Sequence, residues 1–287
     1  MSNEKNKVIG GTLYLVGTPI GNLADISERA KKVLTEADFI AAEDTRNSLR
    51  LIMALGIKNE LVSYHEHNKK SSGERIIARL LAGESCALIT DAGMPAISDP
   101  GEDIVKMCAD AGITVSVIPG ACAAVCALAS SGLSTSRFAF EGFLSAKDSE
   151  RKKRLSSLSK EERTMIFYEA PHKLKNTLSD MRDAFGVDRK ISLCREITKL
   201  NEETLRMTLD GAVKFYEQNE PRGEYVLVLE GFDGVSVSEE TESLLALSPE
   251  EHVQRYVDEG MTKMDATKRA AKERGMSKSE LYKILNS

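Results

Sequence analysis

The chain has 287 residues, 41% of them apolar and 29% charged, a composition that builds a sizeable core and excludes a disordered chain. Its formal net charge of −5 argues against a general nucleic-acid binder held by a basic surplus, although local patches count for more than the sum. No run of about 18 apolar residues is present, so no membrane span is expected; at roughly 100 to 200 residues per domain, the length points to two domains.

The opening stretch Met1 to Lys7 is polar and has no apolar segment behind its lysines, so no secretory signal is expected and the chain reads as cytoplasmic. Thr12 to Val16 then reads as a buried strand and Asp25 to Glu36 as a helix, followed by a strand over Phe39 to Ala42. Further strands are predicted at Leu61 to Tyr64, Cys86 to Thr90 and Thr114 to Ile118, with helices at Ser48 to Leu55, Gly73 to Leu81 and Glu102 to Ala111. This alternation of short β-branched runs with helical patterns predicts a mainly parallel sheet covered on both faces.

A small-residue helix, Ala121 to Ser131, closes the first unit, expected to span residues 1–131. The pattern then restarts over 132–232, with strands at Phe138 to Glu141, Thr164 to Tyr168, Lys190 to Leu193 and Tyr225 to Leu229. Helices are predicted there at Glu150 to Leu158, Pro171 to Phe185 and Asp210 to Asn219, and Glu202 to Met207 fits an edge strand. Residues 233–247, polar and acidic around Glu239, Glu240 and Glu242, read as a linker. The remaining segment, 248–287, opens on a helix start with Pro249 at its first position, and the Ser277-to-Glu280 spacing fits a capping box. Three short helices, with Gly260 and Gly275 as stops, suggest a helix-turn-helix-like module.

No dinucleotide fingerprint and no P-loop is present, so a ligand site is sought at strand C-termini, where open α/β sheets place ligands. Three such ends are rich in turn residues: Gly17 to Asn22, Asp91 to Gly101, and Pro119 to Ala124. Any one of them fits an ordinary turn, since Pro, Gly and Asp are common there; three at strand ends favour a pocket. The five cysteines, Cys86, Cys108, Cys122, Cys126 and Cys194, are odd in number and match no zinc spacing, so they read as reduced packing residues.

Val16 to Asn22, Ala42 to Arg46, Asp91 to Pro95 with Ile97 to Gly101, and Pro119-Gly120 together resemble the tetrapyrrole-methylase-type (class III) methyltransferases. More narrowly the chain is similar to their bacterial 16S rRNA (cytidine 2′-O)-methyltransferase branch, a likeness that continues through Tyr64 to Asn68, Glu141 to Leu144, Glu169 to His172, Arg195 to Lys199 and Gly223-Glu224. It departs at Ala170, where that family usually has Ser, and at Ser145, where it usually has Pro. The resemblance implies two α/β domains with a cofactor cleft between them, a homodimer, S-adenosyl-L-methionine as cofactor, and 16S rRNA within the small ribosomal subunit as substrate. It also implies cofactor contacts from Thr18, Pro19, Asp91, Ala92, Gly93, Met94, Pro95 and Ser98. Pro119, Gly120, Ala121, Cys122, Tyr168, Glu169 and Ala170 complete that set. Gly93 and Gly120 would permit close backbone approach.

A ribose hydroxyl is a weak nucleophile, so its methylation needs in-line alignment and help with the proton. Candidates lie in Glu43-Asp44-Thr45-Arg46: Asp44 to accept the proton or hold the ribose, Arg46 to grip phosphate, with Glu43 beside them. The competing reading is helix capping by Asp44 or Thr45. Asn22, His65, His67, Arg151, Lys152, Arg195 and Lys199 are candidate substrate contacts. His65 and His67 share a face of an extended segment, but no third ligand accompanies them and no metal is expected. Lys147 to Arg154, the most basic stretch, is either a solvated helix face or a phosphate-contacting arm, and His252 reads as a surface residue. Two other functions stay open: a corrinoid or sirohaem C-methyltransferase, and a ribosome-associated RNA-binding protein without catalysis.

Overall fold

The computed structural model describes residues 7–232, 244, 246–274 and 276–285. The chain forms two compact units, 1–231 and 232–287. The first holds two five-stranded sheets.

The first sheet is built from β1 (Thr12–Val16), β2 (Phe39–Ala42), β3 (Leu61–Ser63), β4 (Cys86–Ile89) and β5 (Thr114–Ile118), in the order β3-β2-β4-β1-β5. Every pairing is parallel. Helices α1 (Glu28–Glu36), α2 (Thr45–Ala54), α3 (Lys69–Leu81) and α4 (Gly101–Asp110) supply the crossovers. Alternation along β1 divides the core: Tyr14 and Val16 pack with Leu34 and Ile52 of α1 and α2, while Leu13 and Leu15 pack with Ile76 and Ile104 of α3 and α4. Burial on both faces is why β1 reads as an unbroken apolar run instead of an alternating one. The chain leaves the adjacent strands β1 and β4 in opposite directions, one toward β2 and the other toward β5. Such a reversal opens a crevice at the strands' C-terminal ends.

The second sheet departs from the parallel pattern of the first. It comprises β6 (Phe138–Phe143), β7 (Thr164–Glu169), β8 (Lys190–Arg195), β9 (Glu203–Thr208) and β10 (Tyr225–Leu229), in the order β6-β7-β10-β8-β9. Only β6 and β7 run parallel; the other pairings are antiparallel. The Glu203–Thr208 segment is an edge strand, as its sequence suggests. Helices α6 (Asp148–Ser157), α7 (Pro171–Phe185) and α8 (Leu209–Gln218) cover one face through Leu155, Leu178, Leu209 and Tyr216. On the opposite face α5 (Ala123–Ser131) sets Ala124, Ala127 and Leu128 against Ile166, Cys194 and Val226. Expected to close the first unit, α5 thus packs on the second sheet, its small side chains permitting close approach.

Arg151 corrects a sequence expectation. Its guanidinium is buried, with Nε donating to Asp180 at 2.7 Å and an Nη donating to Asp148 at 2.6 Å, so it clamps α6 to α7 and has no reach to a substrate.

The second unit contains α9 (Pro249–Asp258), α10 (Lys263–Glu273) and α11 (Lys278–Ile284), with reciprocal capping boxes at Ser248/Glu251 and Ser277/Glu280. Val253, Tyr256, Ala266, Ala270 and Leu281 form its core. His252 is fully buried there, contrary to the surface position expected. Arg274 donates to its Nδ1 at 3.1 Å, which leaves Nε2 to carry the proton toward Glu273 at 2.9 Å. Of the expected linker, 233–243 and 245 lie outside the described residues, as does Gly275, while Leu244 and Leu247 pack on this core instead of forming a solvated connection.

Replacing Arg151 by Met strands the buried Asp180 carboxylate, with Lys152 3.6 Å away as its remaining cation. Breaking a buried pair this way costs about 3 kcal/mol. Chemical denaturation of Arg151→Met is expected to show that loss, and an unchanged midpoint would contradict the clamp.

Candidate active site

Three strand ends are knitted into one frame. Beyond β1, Thr18 N–H donates to Gly93 O at 2.9 Å and Gly93 N–H returns the bond to Thr18 O at 3.2 Å. Gly17 N–H donates to Ile118 O at the end of β5 at 3.1 Å. Gly17 and Gly120 lie so close that a β-carbon on Gly17 would sit 2.6 Å from Gly120 Cα, and one on Gly120 would sit 2.7 Å from Gly17 Cα. Gly93 takes φ +84°, a conformation suited to glycine. Gly120, expected to admit a ligand, admits the backbone of Gly17 instead, while Gly93 bonds Thr18 and also faces the cleft.

This frame forms one side of a cleft of about 670 Å³, and the C-terminal ends of β7 and β8 form the other. Of the expected cofactor residues, Asp91 to Met94 and Ser98 line it from the first sheet, and Cys122 with Tyr168 to Ala170 from α5 and the second. Glu43 and Lys199 also line it. Thr18 is buried behind the wall, where its hydroxyl donates to Gly93 O at 3.3 Å. Pro19, Pro95, Pro119, Gly120 and Ala121 are likewise absent from the lining.

Several candidates stand elsewhere. Asp44 caps α2, accepting the Arg46 N–H at 2.8 Å, and binds the Arg46 guanidinium through both its oxygens at 3.2 and 2.9 Å. Those bonds bring its pKa down to about 2, making it a weaker base than an ordinary carboxylate. The structure shows the capping contact, and the exposed Arg46 side chain pairs with the same carboxylate. Asn22 caps a single 3₁₀ turn at Leu23–Asp25. His67 lines a separate depression with Glu66 and Lys69, and His65 packs edge-on against it at 5.9 Å. Among the described residues no three His, Cys, Asp or Glu side chains are grouped to hold a metal. Lys152 is exposed and pairs with Asp148 at 2.9 Å, and Arg195 pairs with Glu203 at 3.2 Å.

Thr90 and Asp99 join the expected Glu43, Glu169 and Lys199 at the cleft. Thr90 donates its hydroxyl to Glu43 at 2.8 Å, fixing one carboxylate oxygen and leaving the other for the cleft. Asp99 accepts the Ala96 and Gly101 N–H groups with Oδ1 at 3.0 and 2.7 Å, while its buried Oδ2 has no protein partner. Glu169 has a partner on each oxygen, accepting from Ala170 N–H at 2.8 Å and the Thr177 hydroxyl at 2.6 Å. Lys199 donates to Glu196 and Glu224, both at 2.9 Å. Burial works to lower its pKa, but the two carboxylates outweigh burial and raise it; the same Lys199 contact chiefly lowers that of Glu196.

Strain collects at the same place. The non-glycine residues with positive φ among those described are Ala96, Ser98, Glu196 and Thr198, in the two loops that border the cleft. Such conformations cost about 1–3 kcal/mol each and persist where function requires them. Their polar or short side chains gave no warning of it in the sequence.

Residues 12–212 match the family of Tetrapyrrole (Corrin/Porphyrin) Methylases. The chain belongs to that family. Ribosomal RNA small subunit methyltransferase I of Halalkalibacterium halodurans is 48% identical over 274 residues, covering 96% of this chain and 94% of the relative. The protein of that name from Bacillus subtilis is 47% identical, covering 95% and 93%. A Thermus thermophilus uroporphyrin-III C-methyltransferase, solved with S-adenosylhomocysteine, superposes with a TM-score of 0.54 at 16% identity, covering 76% of this chain and 97% of the other. At that identity the superposition speaks for the tetrapyrrole methylase fold alone.

The Gly17–Gly120 contact makes a direct stability prediction. A Gly17→Ala change must push the two backbones apart and is expected to cost about 1–3 kcal/mol in urea unfolding. A loss below about 0.5 kcal/mol, typical of an ordinary surface site, would contradict the frame.

Proposed function

We propose that the chain transfers a methyl group from S-adenosylmethionine to the 2′-oxygen of a cytidine in the decoding region of 16S rRNA, acting in the cytoplasm on the small ribosomal subunit as a homodimer. The observation that carries this reading is the 48% identity over 96% of the chain to a relative named as a small-subunit rRNA methyltransferase.

The cleft fits the cofactor on its own terms. A volume of about 670 Å³ lies within the range of about 300–1,000 Å³ usual for small-molecule sites. Asp99 Oδ2 is a buried acceptor in need of a donor, and Asp91, Glu43 and the backbone of Ala92 and Gly93 add further polar contacts beside the apolar Met94, Ile97 and Tyr168. When bound, S-adenosylmethionine supplies a methyl group already activated by its sulfonium. Asp91, Gly93, Met94, Ser98, Cys122, Tyr168 and Ala170 hold that ligand, and Glu169 acts indirectly by fixing the Ala170 turn.

The protein's remaining task is to present a ribose oxygen in line with the methyl group and to receive its proton. Glu43 is the carboxylate of its turn that reaches the cleft, and it takes the role first considered for Asp44. Lys199, kept protonated by Glu196 and Glu224, serves as a cationic donor to phosphate or sugar oxygen.

Incubation with labelled S-adenosylmethionine and small subunits lacking the modification is expected to label 16S rRNA at one cytidine, as a 2′-O-methyl group resistant to alkaline cleavage. Free 16S rRNA and uroporphyrinogen run in parallel. Label entering the tetrapyrrole alone would overturn the reading.

A further inference from the structure

Phe143 ends β6 and is 62% exposed, yet it lines the cleft. Leaving such a ring in water forgoes about 2 kcal/mol of burial, so its position needs a cause. The cause lies in the strand register. Along β6 and β7, Phe140 pairs with Ile166 and Phe143 with Tyr168, with a shift between Phe140 and Gly142. In an unbroken strand, residues three apart face opposite sides of the sheet. The inserted residue, with Gly142 at φ +64°, brings Phe143 onto the face of Phe140, Ile166 and Tyr168. Leu144 enters the core beneath α6 and α7 instead.

The ring is also braced. Tyr168 meets it edge-on, with centroids 5.4 Å apart and planes at 63°. Phe140 meets Tyr168 on the same terms at 5.0 Å and 69°, and the Tyr168 hydroxyl accepts the Ala124 N–H at 3.2 Å. Tyr168 thus occupies the sheet surface beside Phe143 and props its ring outward. A solvent-facing aromatic surface is held at the cleft, and the segment that follows it carries Lys147, paired with Glu150, Lys152, paired with Asp148, and Lys153. An exposed aromatic ring at the edge of a cleft is a platform that binds unpaired nucleotides, because every base offers a π-face.

We propose that Phe143 is the platform on which a nucleobase of the RNA substrate stacks as its ribose enters the cleft. The inference rests on the rRNA methyltransferase reading above and deepens it. It assigns substrate contact to a side chain exposed by a bulge, and it sets the bulge itself as the device that aims that side chain.

The test compares wild type with Phe143→Ala, Phe143→Leu and Phe143→Trp. It measures kcat and KM for undermethylated small subunits, and S-adenosylhomocysteine affinity by calorimetry. The Ala and Leu variants are expected to lose about tenfold to hundredfold in kcat/KM, chiefly through KM for the subunit. The Trp variant is expected to stay near wild type, and S-adenosylhomocysteine affinity to stay within about twofold throughout. Leu keeps apolar bulk but no ring, so wild-type kinetics in Phe143→Leu would overturn the platform. A parallel loss of S-adenosylhomocysteine affinity would overturn it as well, by moving the ring's role to the cofactor. A wild type that labels no small subunits removes both the function and this inference; an active wild type with a normal Leu variant removes the inference alone.

Discussion

Gly17 and Gly120 touch backbone to backbone, and the cleft depends on that contact. With the paired hydrogen bonds between Thr18 and Gly93, it joins the ends of β1, β4 and β5 into a single rim. Turns at strand ends are ordinarily the softest part of an α/β sheet, because few buried contacts hold them. Here, main-chain hydrogen bonds replace side-chain packing, and the absence of β-carbons lets them form. The Asp91 to Asp99 loop is thereby presented to the cleft from a fixed base, which is what positioning a reactive ligand requires.

The opposite wall is built differently. The second sheet is largely antiparallel, closed on one face by α6, α7 and α8 and on the other by the small side chains of α5. Its contribution comes from the end of β7 and from the loop after β8, where Glu196 and Thr198 take left-handed conformations and Lys199 is gripped by two carboxylates. Ala96 and Ser98 carry similar strain on the facing loop. Both walls thus store conformational energy where they border the cleft, and the two packed cores behind them supply the stability that tolerates it.

Much of this organisation was legible in the sequence. The apolar run at Thr12 to Val16 and the turn residues after three strands located the parallel sheet and its ligand-bearing edge. Pro171 and the Ser277-to-Glu280 spacing marked helix starts that the structure keeps. Strand direction in the second sheet was not legible, since alternating elements of similar length fit either sense of pairing. Arg151 and His252 were misplaced for a shared reason: their polarity suggests exposure, and only tertiary partners, Asp180 for one and Glu273 with Arg274 for the other, reveal that burial is compensated. Asp44 illustrates a different limit. A carboxylate followed two residues later by arginine serves equally as base or cap until the backbone shows which groups it accepts from. The exposure of Phe143 is not written in the local sequence, because the bulge that causes it depends on pairing with β7.

The central claim is that one cleft, framed by the Gly17–Gly120 contact, receives the methyl donor. A crystal structure of the full chain soaked with S-adenosylhomocysteine tests it most directly. The ligand is expected between the Asp91 to Asp99 loop and the Tyr168 to Ala170 turn, with a donor placed against Asp99 Oδ2. Ligand density elsewhere, such as in the depression lined by Glu66 and His67, with this cleft holding none, would contradict it.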